Sequence, residues 1–226
     1  METFYIIDNP LFTKENQITI MLYAIIFISA FLIGSFPTGW LAHRALRGTD
    51  IRAYGSGSTG ATNTFRQLGW KWGMPVMLID FLKGFLPVIA VLHYFPEAWI
   101  LLDRELLASS TGMCSVLGHI FPPWLAFRGG KGIATGAGFL TALFPPIFPV
   151  GIILFALVTI LSRKVSLASL STAVGTSICY FVFTVIDSEN ATLPRTVIFS
   201  VIPILVGITH RKNIQRLISG KERPIV

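Results

Sequence analysis

Hydrophobic positions along this chain fall in long unbroken blocks rather than at the spacing of an amphipathic helix or strand. From Asn16 to Ala42 no side chain carries a charge, and a membrane-crossing helix needs only about 20 apolar residues. Further apolar blocks run from Trp72 to Phe95 (interrupted by Asp80 and Lys83), Leu106 to Phe127, Gly132 to Ser162, Val165 to Ile186 and Thr196 to Thr209. The block 132–162 is too long for one ordinary span. Pro145, Pro146 and Pro149 sit near its middle, where lost N–H donors and ring clashes break a helix, so it reads as two short helices joined by a tight turn. The pattern therefore predicts an all-α polytopic membrane protein with seven transmembrane helices. The longest non-apolar stretch covers only about residues 43–72, so 1–226 reads as one integral membrane domain.

Composition agrees with the pattern. Of the residues, 53% are hydrophobic and 13% charged, against about 25% charged in an average soluble domain. Mean hydropathy is +0.68. The residues before the first block carry Glu2, Asp8 and Glu15 against Lys14, which is not the basic start of a cleaved leader, so the block is expected to remain as the first helix. Cys114 and Cys179 both lie in apolar blocks and read as small packing residues rather than a disulfide or a metal pair.

The net charge of +7 would raise nucleic acid as a partner for a soluble protein, but here the positions of the charges decide, and no nucleic-acid partner is expected. Lysine and arginine concentrate in four places: the loop after the first span (Arg44, Arg47, Arg52, Arg66, Lys71), Arg128 with Lys131, Arg163 with Lys164, and the tail from Arg211 to Arg223. With seven spans all four fall on one side, and Glu97, Asp103, Glu105, Asp187, Glu189 and the acidic N-terminus collect on the other. The positive-inside rule then puts the N-terminus outside and the C-terminus in the cytoplasm. A single span over 132–162 would place the basic tail outside, which argues for the proline break.

Three unusual segments share the basic side. In the first, Gly48 to Gly69, the glycines Gly55, Gly57 and Gly60 satisfy the dinucleotide pattern G-x-G-x-x-G. Gly55, Gly60 and Thr62 also come within one residue of a phosphate loop, with Ala61 where its lysine belongs. No β-strand context supports a nucleotide. The physical content that survives is a glycine turn with converging N–H groups, opening a short helix over Ala61 to Leu68 that Gly69 stops, which makes an anion site. Ser56 and Ser58 add hydroxyls, Asn63 a further polar group, and Arg66 lies in the same helix.

The second segment, Gly118 to Gly138, surrounds Lys131 with Gly129, Gly130 and Gly132, adds Arg128, and opens another helix. Two such sites suggest two phosphates. The third, Thr209 to Glu222, spaces His210, Asn213 and Leu217 on one helical face. Its lysines and arginines read as a tail pairing with anionic lipid, which leaves His210 and Asn213 unexplained. Asp80 and Lys83, three apart inside an apolar block, are spaced to pair, either for function or as a structural tie.

Across residues 34–222 the segments GSFPTGWLAHRALRGTDIRAYGSGSTGATNTFRQLG, DFLKG, GHIFPPWLAFRGGKGIATG and HRKNIQRLISGKE closely resemble the bacterial acyl-phosphate-dependent glycerol-3-phosphate acyltransferases. The resemblance implies transfer of a fatty acyl group from acyl phosphate to the 1-hydroxyl of glycerol 3-phosphate, giving lysophosphatidic acid and phosphate, the first step of phospholipid synthesis. It implies no cofactor and no metal. It places the protein in the bacterial inner membrane with its active site on the cytoplasmic face, and raises the soluble acyl-phosphate-forming enzyme as a partner beside membrane lipid. By the same resemblance Ser56, Arg66, Lys131, His210 and Asn213 are catalytic, and Gly129, Gly130 and Gly132 bind acyl phosphate. Glu222 is structural. Where the family usually has asparagine after GSG this chain has Ser58, and where its second motif begins Phe-Lys this chain has Phe127 and Arg128; both replacements keep a donor or a charge.

The general base stays open at this level, between His210 and a substrate phosphate. Asp50, Asp80 and Glu222 are the candidate carboxylates on that side, and the His-x-x-x-x-Asp motif of the common acyltransferases is absent, since no histidine has Asp five residues later. A transporter for an anionic solute is the competing class, since broken helices and glycine loops occur there too. GSFP and GHIFP, each upstream of a glycine loop ending in Ala-Thr, hint at a repeat.

Overall fold

The structure, a computed structural model, describes residues 13–101 and 103–225; Glu2 and Asp8, used above for orientation, lie outside them. The described residues form α-helices with short 3₁₀ turns and no strand. The helices are α1 (Lys14–Ser35), α2 (Thr38–Arg47), α3 (Ala61–Leu68), α4 (Trp70–Tyr94), α5 (Arg104–Ile120), α6 (Ile133–Leu143), α7 (Ile147–Ser162), α8 (Val165–Ile186), α9 (Leu193–Thr209) and α10 (Arg211–Ile218). The block 132–162 is indeed two helices, parted at Phe144–Pro146. Two expectations shift. The first block is interrupted at Phe36–Pro37, because proline cannot donate to the preceding turn. The third ends at Ile120 rather than Phe127, because Pro122 and Pro123 turn the chain away.

Among the described residues, three segments are long and apolar enough to cross a membrane, Asn16–Arg47, Trp70–Tyr94 and Val165–Ile186, or four if α9 and α10, bent by 67°, count as one. The others are shorter; α6, at 11 residues, reaches only about 16 Å.

Small residues set the closest crossings. A Cβ on Gly84 of α4 would strike Thr135 O of α6, and one on Gly138 of α6 would strike Phe81 O of α4. Gly34 of α1 and Gly118 of α5 stand in the same reciprocal relation to Ser115 O and Phe31 O. Backbones that approach this closely gain van der Waals contact where no hydrophobic force separates helix from lipid. The GSFP and GHIFP segments thus meet across one interface. On the other flank, Tyr180 of α8 stacks on Phe199 of α9 with centroids 4.2 Å apart, and Phe144 closes edge-on against both.

Hydrogen bonds bring the four basic segments to one end. Arg52 reaches Leu125 O and Arg128 O, Lys131 reaches Asn213, Arg223 reaches Gly55 O, and Ile225 N–H donates to Arg163 O. At the opposite end Arg104 pairs with Glu97 and Arg195 with Glu105, so the arginines there are matched by acids.

Asp80 and Lys83 do pair, at 2.5 Å, with both side chains almost fully buried. Lys83 Nζ also donates to Phe36 O at 2.6 Å and to Thr38 Oγ1, at the α1–α2 break. Removing one member leaves the other charge unmatched in a low dielectric, a loss of about 3–5 kcal/mol. Lys83→Met is therefore expected to lower unfolding stability by about that amount. The double change Asp80→Asn with Lys83→Met should recover part of the loss, measured by denaturant unfolding in detergent micelles.

Candidate active site

The first glycine loop is held from inside by one side chain. Gly55 adopts φ +58°, and a Cβ there would collide with Asn63 Oδ1. That oxygen accepts the Ser56 N–H at 3.1 Å, while Asn63 Nδ2 donates to Ile51 O, Tyr54 O and Ser58 O at 3.2, 3.1 and 2.9 Å. Asn63 was expected to bind substrate; its polar atoms are instead engaged by the loop. Gly57 N–H is likewise taken, by Tyr54 O, and Gly60 N–H by Ser58 Oγ. What remains for an anion is the start of α3, where the Ala61 and Thr62 N–H groups have no carbonyl behind them, beside the hydroxyls of Ser56, Ser58 and Thr62.

The second loop folds back on α5. Gly129 N–H donates to Ile120 O and Gly130 N–H to His119 O, both close to 3 Å. Those amides close the end of α5 rather than pointing outward, and Arg128 is exposed. Of the five residues Arg128 to Gly132 the structure brings Lys131 and Gly132, and not the other three, to the cavity described below. Gly55 and Gly57 also stay outside its lining, as does Lys83. Arg52, absent from the sequence-based assignments, staples the loops: Nη1 donates to Leu125 O at 2.7 Å while the rest of the guanidinium holds Asp50. That contact lowers the Asp50 pKa to about 2, which removes Asp50 as a base near neutral pH.

The third segment supplies a buried hub. Lys131 Nζ donates to Asn213 Oδ1 at 2.6 Å, and Asn213 Nδ2 donates to Glu222 Oε1 at 2.7 Å. Glu222 also accepts from Ser166 Oγ of α8 and from Arg216 Nε, each at 2.7 Å. Side chains of α8 and α10 thereby share one carboxylate, with Lys131 joined to it through Asn213, and Ser166 had no signal in the sequence beyond a hydroxyl in an apolar block. Burial pushes the Glu222 pKa up, but the bonds from Ser166, Arg216 and Asn213 outweigh it and leave it below the usual value. Burial lowers Lys131 to about 8, with Glu222 opposing and Arg216 and Arg66 assisting.

His210 sits between α9 and α10, almost fully buried. Its Nδ1 lies 2.9 Å from Val206 O, which only accepts, so Nδ1 carries the proton and Nε2 keeps its lone pair. Burial, reinforced by Lys131, brings its pKa down to about 4. Arg66 is half-buried, and burial lowers its pKa too. Its Nη2 donates to Arg223 O and Pro224 O, so the tail lies across the guanidinium.

These groups line one cavity of about 880 Å³. Ser56, Ser58, Gly60, Thr62, Asn63, Arg66, Lys131, Gly132, His210, Asn213 and Glu222 line it, with Asp80 and His119 beside them; mostly apolar side chains of α4 to α9 form the rest of the wall. Among the described residues no three His, Cys, Asp or Glu side chains converge to hold a metal ion.

A sequence profile of the glycerol-3-phosphate acyltransferases matches residues 24–220. The chain belongs to the glycerol-3-phosphate acyltransferase family. A curated member from Chlorobium phaeobacteroides is 37% identical, with 90% of this chain and 96% of that one aligned. Among solved structures, the glycerol 3-phosphate form of PlsY (YgiH), an integral membrane glycerol 3-phosphate acyltransferase, superposes with a TM-score of 0.79 at 33% identity, covering 90% of this chain and 95% of that one. Its lysophosphatidic acid form gives 0.77 at 31%, with the same coverage. This member of the glycerol-3-phosphate acyltransferase family is accordingly a membrane protein, and its three sequence clusters converge on a single chamber.

The Lys131 environment makes a measurable prediction. Its folded pKa lies below the ordinary lysine value, so the ammonium loses its proton near pH 8 and is neutral above. After reductive methylation with a carbon-13 label, Lys131 is expected to titrate near 8, and Glu222→Gln, which removes the charge that raises it, should move the midpoint lower.

Proposed function

We propose that this protein transfers a fatty acyl group from acyl phosphate to the 1-hydroxyl of glycerol 3-phosphate, giving lysophosphatidic acid and inorganic phosphate. The observation that carries the reading is one chamber with a cationic, N–H-rich end and apolar walls, which suits two phosphates and an alkyl chain together. The start of α3 with Ser56, Ser58 and Arg66 forms one anion site; Lys131 with the start of α6 forms the other. The topology proposed with it is seven membrane-crossing helices, α6 the shortest. The end that gathers the basic segments then faces the cytoplasm of a bacterial inner membrane.

In the reaction the C1 hydroxyl oxygen of glycerol 3-phosphate attacks the acyl carbonyl carbon. The bond from that carbon to the phosphate oxygen breaks, and phosphate leaves with the electron pair. An acyl phosphate is a mixed anhydride with a good leaving group, so holding the reactants in line and stabilising negative charge supply much of the rate. Lys131 and Arg66 stabilise charge on the departing phosphate, and Asn213 fixes the Lys131 ammonium.

The hydroxyl proton goes to a substrate phosphate. His210, with its pKa near 4, is a weaker acceptor than a phosphate dianion, whose conjugate acid has a pKa of about 6. His210 then serves to position the reactants in its neutral form.

Purified protein in bilayers, supplied with palmitoyl phosphate and labelled glycerol 3-phosphate, is expected to yield lysophosphatidic acid. Product only with acyl-CoA or acyl carrier protein as donor would overturn the proposal, and uptake of glycerol 3-phosphate without product would favour transport. Ser56→Ala and Arg66→Ala should each lower kcat/KM by about 10²-fold or more. His210→Gln should lower kcat by less than about tenfold, where a general base would cost 10² to 10⁴.

A further inference from the structure

Most buried glycines of the helices are accounted for by a neighbouring backbone or ring lying where a Cβ would stand, as at Gly84, Gly138, Gly34, Gly118 and Gly112. Gly136 is different. It lies within α6, is buried, and lines the cavity, yet nothing stands within 4 Å of a Cβ built on it. Glycine inside a helix is less favourable than alanine, and no protein neighbour requires it here. The space it leaves belongs to the chamber. Gly136 follows Gly132 by one turn, so it sits about 6 Å below the anion-binding start of α6.

Gly151 of α7 marks a deeper level of the same chamber. Its Cβ would meet only methyl groups, Thr176 Cγ2 at 3.5 Å and Thr172 Cγ2 at 3.9 Å, which are ordinary contacts. On α8 these two threonines follow Ser166, the Glu222 partner at the polar end, by six and ten residues, placing Gly151 about 9–15 Å from that end. An extended chain advances roughly 1.2 Å per bond, taking one third of the residue repeat, so a chain anchored at the polar end passes Gly151 after about 8 to 12 bonds.

We propose that Gly136 and Gly151 determine which acyl donors the protein accepts, Gly136 by admitting the carbons next to the carbonyl and Gly151 by admitting chains longer than about ten carbons. The inference rests on the acyl-transfer reading above. A side chain at position 136 obstructs every donor, whereas one at 151 obstructs only donors that reach it. Alanine fits at both places: at 136 it meets nothing, and at 151 it makes ordinary contact, so the graded series Gly, Ala, Leu separates blockage from misfolding.

The test compares octanoyl phosphate with palmitoyl phosphate on the full chain in bilayers, with unfolding midpoints measured beside each variant. Gly151→Leu is expected to lower kcat/KM for palmitoyl phosphate by about tenfold or more while octanoyl phosphate stays within about twofold, the scale on which an apolar pocket discriminates added carbons. Gly151→Ala should shift the ratio in the same direction by less. Gly136→Leu should lower both donors together. Gly207→Leu, at a position equally free of neighbours but outside the cavity lining, should leave the ratio unchanged. Equal loss of both donors in the Gly151 series, or no change in either with the midpoint retained, would overturn the inference while leaving acyl transfer intact. Failure of the unaltered protein to acylate with either donor would instead strike the acyl-transfer reading.

Discussion

A helix that breaks inside a membrane bundle exposes carbonyl groups that lipid cannot satisfy, so the protein must supply the donors itself. This constraint organises the molecule. The α1–α2 break is answered by Lys83, whose ammonium caps Phe36 O and is neutralised by Asp80. The turn after α5 is answered by Arg52, which reaches Leu125 O and Arg128 O from the other loop. Even the glycine amides of that turn close onto α5 carbonyls. Each break is therefore a place where a cation or amide has been drawn inward.

The same economy of partners explains why Glu222 is central. Lys131, Ser166 and the α10 pair Asn213 and Arg216 come from three separate stretches, and Glu222 bonds directly to the last three residues and, through Asn213, to Lys131. A carboxylate with three donors remains charged despite burial, and its charge keeps the Lys131 pKa from falling further. Removing it would loosen the α8–α10 contact and the lysine together. Structural and electrostatic roles are hard to separate in such a network, because one set of bonds carries both.

The sequence made local geometry legible wherever a single residue type forces it. Ala61–Leu68 and Val165–Ile186 are helices over the ranges read from the sequence, and the prolines at 145 and 146 part α6 from α7. The pairing of Asp80 with Lys83 was readable from their spacing. Partner choice was not. Nothing local shows that Asn63 turns back on its own loop, that Gly129 and Gly130 give their amides to α5, or that Arg52 rather than Arg128 bridges the two loops. Those outcomes depend on which carbonyl lies within reach once the helices pack, a tertiary fact. The five residues named for chemistry, Ser56, Arg66, Lys131, His210 and Asn213, nevertheless reach one chamber, because polar groups at the ends of apolar helices have few other places to go.

The division of that chamber bears on the chemistry proposed for it. Acyl phosphates react with water as well as with alcohols, so a useful transferase must favour the hydroxyl of its acceptor over solvent. Apolar walls from α4, α6, α7 and α9 exclude water on one side of the reacting carbon. On the other side stand Arg66, Lys131 and the starts of α3 and α6, the phosphate sites of the proposed reaction, where attraction for an anion is stronger in a low dielectric than in water. In the proposed reaction the acyl carbonyl is set at the boundary, between a dry wall and a charged one. Depressed pKa values at Lys131 and His210 follow from the same burial: the lysine keeps its charge below pH 8 and the histidine stays neutral above pH 4. Near neutrality the chamber thus holds a fixed cation beside a fixed neutral ring, and the proposed reaction leaves the proton in transit to the substrates.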